Sequence, residues 1–216
     1  MALERGPANR PRGGSERRRQ FEAHFDPDTL IVHAAHAINR GEPPRTKAAD
    51  TEVRDFFFIE KEGDAEAADE ILTLATERLP SHYDADPIRD VQVLAPIYRG
   101  AVGVDALNER LRARLNPEGE RLAIPADRTH SLRPAYAISV HKSQGCEMPV
   151  VIVPVHTSHS VLLSRNLLYT AVTRARRACV LVGQREAVSR ALRRADAFRR
   201  NSRLAELLAT GDAGSG

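Results

Sequence analysis

Apolar residues along this chain follow two patterns that alternate. Short runs at 56–59, 91–94, 150–155 and 178–182, most of them rich in Val, are bounded by polar or turn residues, as strands buried on both faces should be. A shorter run at 135–139 adds a fifth. Between these runs, apolar positions recur at helical spacing. Leu30, Ala34, Ala37 and Ile38 share one face of a helix that Asp28 or Thr29 caps and Gly41 stops, with Pro43 and Pro44 beyond. Ala68, Ile71, Leu72, Ala75 and Leu79 recur at intervals of 3, 4, 7 and 11 in a helix opened by Gly63 and Asp64. A loop at 96–103 leads to a third helix built on Val104, Leu107, Leu111 and Leu115. A fourth is expected over 161–175, and a basic one from about Gln184, its signal fading by Gly211. The alternation of strand and helix predicts one α/β domain with a parallel sheet and helical crossovers.

Three stretches break the pattern. Residues 1–27 open with Pro, Gly, Ser and Arg and no apolar periodicity, and are expected to form a disordered basic arm. Residues 116–134 hold three Pro, a Gly and one short apolar run, and read as a connector inside a domain spanning 28–210; a loose tail at 211–216 follows. The 216 residues suffice for a core, which must be aliphatic because Trp is absent. Two cysteines, Cys146 and Cys179, without metal-ligand spacing and without a secretory leader, point to a reducing, cytoplasmic setting, and no run is long enough for a membrane. The net charge of +3 hides an uneven spread: residues 1–20 carry +4, residues 185–203 carry +5, and the remainder is near −6. Basic ends around an acidic middle fit a polyanion partner. A GC-rich coding sequence would also produce such ends, since 29 of the 32 basic residues are Arg.

The chemistry gathers in two clusters. Ser139, His141, Lys142, Ser143, Gln144, Gly145 and Glu147 precede the run at 150–155; Tyr169, Thr170, Thr173, Arg174 and Arg176 precede the run at 178–182. In open α/β sheets, ligands sit where strands end in loops. Gly145 would let backbone approach a phosphate, Glu147 would accept from a ribose hydroxyl, and Ser139, His141, Lys142 and Ser143 offer donors to phosphate oxygens. The same cluster also reads as a polar turn. Arg174, after a helix presenting Asn166, Thr170 and Thr173, reads equally as a rigid fork for a transferring phosphoryl group and as a helix-end cation.

At these residues the chain resembles a known family. SVHKSQGCEMPVVI is similar to motif V, and LLYTAVTRARR to motif VI, of superfamily 1 DNA helicases, most closely the RecD-like ATP-dependent helicases with a UvrD-like C-terminal domain. DVQVLAPIYRGAVGVDALNERL resembles the motif IV region, and LIVHAAHAINRGEPP the segment after motif III, so about residues 28–190 are covered. The resemblance implies the second RecA-like motor domain: a parallel sheet with helices on both faces. It implies that Arg174 is an arginine finger on the ATP γ-phosphate, that Glu147 meets the ribose, Gly145 the phosphate side, and Arg99 the nucleotide. It implies that Ser139 and His141 touch single-stranded DNA, with Lys142, Ser143 and Gln144 linking that contact to the nucleotide. His156, Thr157, Ser158 and His159 also resemble the family's stretch; with His141 they raise the question of a metal, but their spacing is irregular and no metal site is expected.

Two departures matter. A Walker A loop needs Gly-Lys-Ser/Thr, yet Lys47, Lys61 and Lys142 follow Thr46, Glu60 and His141. The one Asp-Glu pair, Asp69 and Glu70, lies inside an amphipathic helix instead of ending an apolar strand. ATP with Mg²⁺ would therefore be shared with a first RecA-like motor domain, in another chain or a missing N-terminal region. The connector at 116–134 is also shorter than the small barrel that RecD-like proteins insert there. Three readings follow: the C-terminal half of a 5′ to 3′ DNA helicase, inactive alone; a non-catalytic remnant binding DNA or a partner; and a generic nucleotide-binding α/β domain.

Overall fold

The computed structural model describes residues 29–46, 54–119, 134–159 and 162–194. The expected arm at 1–27, most of the connector at 116–134 and the tail at 211–216 lie outside the described residues, as does Asp28. Five strands, β1 Phe56–Glu60, β2 Val91–Ala95, β3 Ala137–Ser139, β4 Met148–Val155 and β5 Ala175–Gly183, form one parallel sheet in the order β1-β5-β4-β2-β3. The helices are α1 Leu30–Arg40, α2 Asp64–Thr73, α3 Leu79–Tyr83, α4 Val104–Leu115, α5 Arg165–Val172 and α6 Arg185–Arg193, with a wider turn, Leu74–Arg78, joining α2 to α3.

Each strand's alternation decides which layer its side chains meet. Val151, Val153 and Val155 of β4 and Cys179 and Leu181 of β5 pack with α1, α5 and α6 on one face. Val150 and Ile152 of β4 and Ala178, Val180 and Val182 of β5 pack with α2, α3 and α4 on the other. Both faces of the central strands are therefore apolar, which is why they read as unbroken runs. Each wholly buried Ile or Leu, such as Ile71 or Leu168, contributes roughly 1.5–3 kcal/mol relative to exposure.

Helix ends follow the expected chemistry. Thr29 caps α1, its side chain accepting from the Val32 amide, and Gly41 ends the helix in the left-handed region. A second cap comes from outside the helix: the buried Asp55 carboxylate, just before β1, accepts from the Ile31 amide at 3.2 Å.

The expectation of a helix over 161–175 requires correction. Ser164 caps α5, whose last helical residue is Val172, and β5 starts at Ala175, three residues earlier than its apolar run. Pairing runs from Met148 beside Ala175 to Val150 beside Ala178, so β5 carries one extra residue in a bulge at Arg176 and Arg177. Polar residues at a bulge carry no hydrophobic signal, which is why the strand looks shorter in the sequence than it is.

Candidate functional site

The register separates the two ends of the sheet, and the candidate residues divide between them. Val93 lies beside both Ala137 of β3 and Ile152 of β4. Ser139 is thus level with the carboxyl end of β4, and Met148 lies about 20 Å further down, six residues at roughly 3.3 Å each. The loop at 140–147 must span that length. Its start is tied to the upper end, where the Val140 amide donates to the Ala95 carbonyl at 3.2 Å; beyond it, the Met148 amide donates to the Arg174 carbonyl at 2.8 Å at the lower end. Val140 and Met148 both pack into the cluster on the α1, α5 and α6 face.

At the lower, amino-terminal edge, Arg174 joins two elements. Its Nε donates to the Thr170 carbonyl at 3.2 Å, Nη2 to Thr173 Oγ1 at 3.3 Å, and Nη1 across to the Cys146 carbonyl at 3.0 Å. The guanidinium therefore meets the carbonyl end of α5 and the end of the loop at once, which favours a cation there. Glu147 pairs with Arg176, Nε to Oε2 at 2.6 Å, and stands about one-third exposed. The bulge sends the next residue the other way: Arg177 donates to the Tyr83 carbonyl at 3.0 Å and lies over the Tyr83 ring. Gly145 has φ +87°, a conformation that disfavours any side chain, and open space before it.

At the upper, carboxyl-terminal edge stand Ser139 and Arg99, and the loop turns through 141–144 on its way down from it. His141, Lys142 and Gln144 are exposed, as is Arg99 in the loop after β2. Ser139 is buried, its Oγ 3.4 Å from the Tyr98 hydroxyl. Ser143 departs from the expectation of a surface donor: it is buried, its hydroxyl donating to the Val140 carbonyl at 2.7 Å, so it shapes the turn. The structure brings Gly145, Glu147 and Arg174 together but not Arg99, which lies beyond the opposite end of the sheet, more than about 20 Å from Arg174 along the strands.

The histidines are absorbed by packing. His156 contacts the Glu62 carbonyl through Nε2 at 3.1 Å and Ser158 Oγ through Nδ1 at 3.0 Å, with Asp64 Oδ1 2.7 Å from the same nitrogen. Gln184 ties the same corner, donating to the Glu62 carbonyl at 2.8 Å and accepting from the Thr157 amide at 3.0 Å. His159 is almost wholly buried, and burial brings its pKa down to about 4. Among the described residues, no group of three His, Cys, Asp or Glu side chains stands ready to hold a metal ion.

Sequence reasoning missed Asp55, Arg177 and Tyr98. Asp55 precedes an apolar run and Arg177 ends a basic pair, but only the register gives either a role; Tyr98 lies within the motif IV resemblance.

The five-stranded parallel sheet sheathed on both faces, with charged groups at its strand ends, is the doubly wound α/β architecture expected of a RecA-like domain. Residues 134–182 match the UvrD-like helicase C-terminal domain. The chain is 29% identical over 195 residues to the ATP-dependent RecD2 DNA helicase of Deinococcus radiodurans, covering 68% of this chain and 26% of that protein. It is 36% identical over 99 residues to the RecBCD enzyme subunit RecD of Mycobacterium tuberculosis, covering 45% of this chain and 17% of that one. The chain thus spans about a quarter or less of the length of these relatives. Among solved structures, the C-terminal domain of a possible DNA helicase from Lactobacillus strain WCFS1 aligns with TM-score 0.44 at 16% identity, covering 76% of this chain and 91% of that one. In kind, then, the chain is similar to helicase C-terminal domains over residues 134–182 and to RecD proteins over a longer stretch. No described helix is long and apolar enough to cross a membrane.

Proposed function

We propose that the chain is the second motor domain of an ATP-dependent, 5′ to 3′ DNA helicase, contributing nucleotide contacts at its lower edge and single-stranded DNA contacts at its upper edge. The observation that carries this reading is the convergence at the lower edge: Arg174 bridges α5 to the loop end, with Gly145 open and Glu147 beside it. Gly145 and Glu147 would face the phosphate and ribose, and Arg174 would serve as the finger. When bound, ATP with Mg²⁺ supplies the phosphoryl group whose transfer drives movement along the strand. Among the described residues no group of three His, Cys, Asp or Glu side chains stands ready for the metal, so it would be held by phosphates and by a first motor domain. His141, Lys142 and Gln144 would meet the DNA backbone, Ser139 and Ser143 fix their loop, and Arg99 joins this upper group.

A second reading, a DNA- or partner-binding remnant without catalysis, has its own support. Arg174 already donates to its own chain and Glu147 already pairs with Arg176, so both have structural work without a nucleotide. One experiment separates the two. The chain alone should show no DNA-stimulated ATPase, because no lysine follows a glycine anywhere in it. Mixed with the first RecA-like domain of a related helicase, it should restore turnover, and Arg174→Ala should lower that turnover about 10³-fold or more. Restoration that is indifferent to Arg174→Ala would remove the finger and leave the remnant reading.

A further inference from the structure

The upper edge carries a side chain whose exposure packing does not explain. Among the described residues, the large apolar side chains left exposed are Ile88, Tyr98 and Leu162, and Tyr98 alone is aromatic, at 41% exposure. The residue is nonetheless held at its hydroxyl and at its backbone. The hydroxyl lies 3.4 Å from Oγ of buried Ser139, and the Tyr98 carbonyl accepts from the Asp105 amide at 3.0 Å at the start of α4. The loop itself is pinned: Val104 donates to the Ile97 carbonyl, and Gly103, against whose bare Cα the Tyr98 and Arg99 carbonyls pack, leaves no room for a side chain. The Lys142 ammonium stands over one face of the ring, 5.9 Å from its centroid. Beside the ring, between α4 and β3, runs a cleft of about 330 Å³ to which Arg112 contributes a further cation and Asp105 and Glu109 contribute acids.

A rigid, half-exposed aromatic ring with a cation over one face can bind an unpaired base: the other face stacks on the base, and the cation meets the neighbouring phosphate. We propose that Tyr98 is a stacking platform for one base of single-stranded DNA, with Lys142 holding the adjacent phosphate. This rests on the DNA reading above and adds what that reading lacks, a contact to a base instead of the backbone. Such a contact tolerates any sequence, because every base has a face to stack. Asp105 and Glu109 offset Arg112 and Lys142 in the cleft, so its lining gives a second phosphate no net attraction and the strand would pass over the ring and not into the cleft.

The chain contains no Trp, so Tyr98→Trp installs a single fluorescent reporter at the proposed contact. Titration with a single-stranded oligonucleotide should quench that indole, and an abasic strand of equal length and charge should bind without quenching it. Tyr98→Ala should weaken binding of the base-bearing strand roughly 5- to 150-fold, the range set by one stacked base, and should scarcely alter binding of the abasic strand. Tyr98→Phe keeps the ring, so it should stay close to the parent even if the lost hydroxyl loosens the loop; it also controls for a folding defect in the Ala variant. Salt-dependent binding with an unquenched indole, and equal affinity for Tyr98→Ala, would overturn the platform while leaving the DNA reading intact. No binding at any salt concentration would overturn both.

Discussion

At the scale of single residues, His159 is an imidazole taken almost wholly out of water. It is 1% exposed at the carboxyl end of β4, with the His156 ring 6.3 Å away. Burial is the main reason its pKa falls to about 4, the His156 charge adds to it, and the Asp64 carboxylate and Pro154 carbonyl oppose it. The folded state therefore takes up this proton less readily than the unfolded chain, whose imidazole titrates at its ordinary 6.5. The sign follows by linkage: the stability that neutral His159 provides is complete above 6.5 and is lost as pH falls toward 4. The loss is on the order of 3 kcal/mol at the acid end of that window. Urea unfolding at several pH values should show the parent losing stability more steeply than His159→Leu between pH 6.5 and 4. Parallel curves for the two proteins would show that the ring escapes burial by moving.

At the scale of elements, the capping of α1 shows what a linear reading can and cannot reach. Thr29 and Gly41 were legible because caps act within a few residues of their helix, and the strands were legible because burial on both faces leaves unbroken Val-rich runs. Asp55 was not, since its partner, the Ile31 amide, lies 24 residues away and meets it only when β1 and α1 pack. The same limit hid the bulge of β5 and the split of the candidate site: spacing along the chain says nothing about register between strands, so one contiguous motif, SVHKSQGCE, reads as one place. Asp55 also makes a prediction. Burial raises its pKa despite the amide hydrogen bonds, so ionisation itself opposes folding and the acceptor oxygen is what α1 needs. Asp55→Ala should cost about 1–3 kcal/mol by leaving a buried amide unpaired, whereas Asp55→Asn, which keeps an acceptor and removes the charge, should cost much less. Equal losses in chemical denaturation would assign the effect to the charge and the helix dipole instead.

At the scale of the whole molecule, the sheet acts as a spacer between two charged edges, and the eight residues from 140 to 147 return from the upper to the lower one outside the sheet. The upper edge presents Lys142, His141 and Arg99 around Tyr98; the lower edge presents Arg176 and Glu147 before Arg174. If a nucleic-acid strand lies along the upper edge only, the two sets should separate in a salt titration. Each phosphate contact removed from a single strand lowers the slope of log affinity against log salt by about 0.7. Lys142→Ala should therefore reduce the slope by about that amount. Arg176→Ala, a change of equal charge at the other end of the sheet, should leave the slope where it was, because more than a Debye length, about 10 Å at ordinary ionic strength, separates it from the strand. Equal slopes for the two variants, both reduced, would mean that the strand wraps past the lower edge. That outcome would place DNA where the nucleotide is proposed to sit, and the assignment of Glu147 and Arg174 to ATP would fall with it.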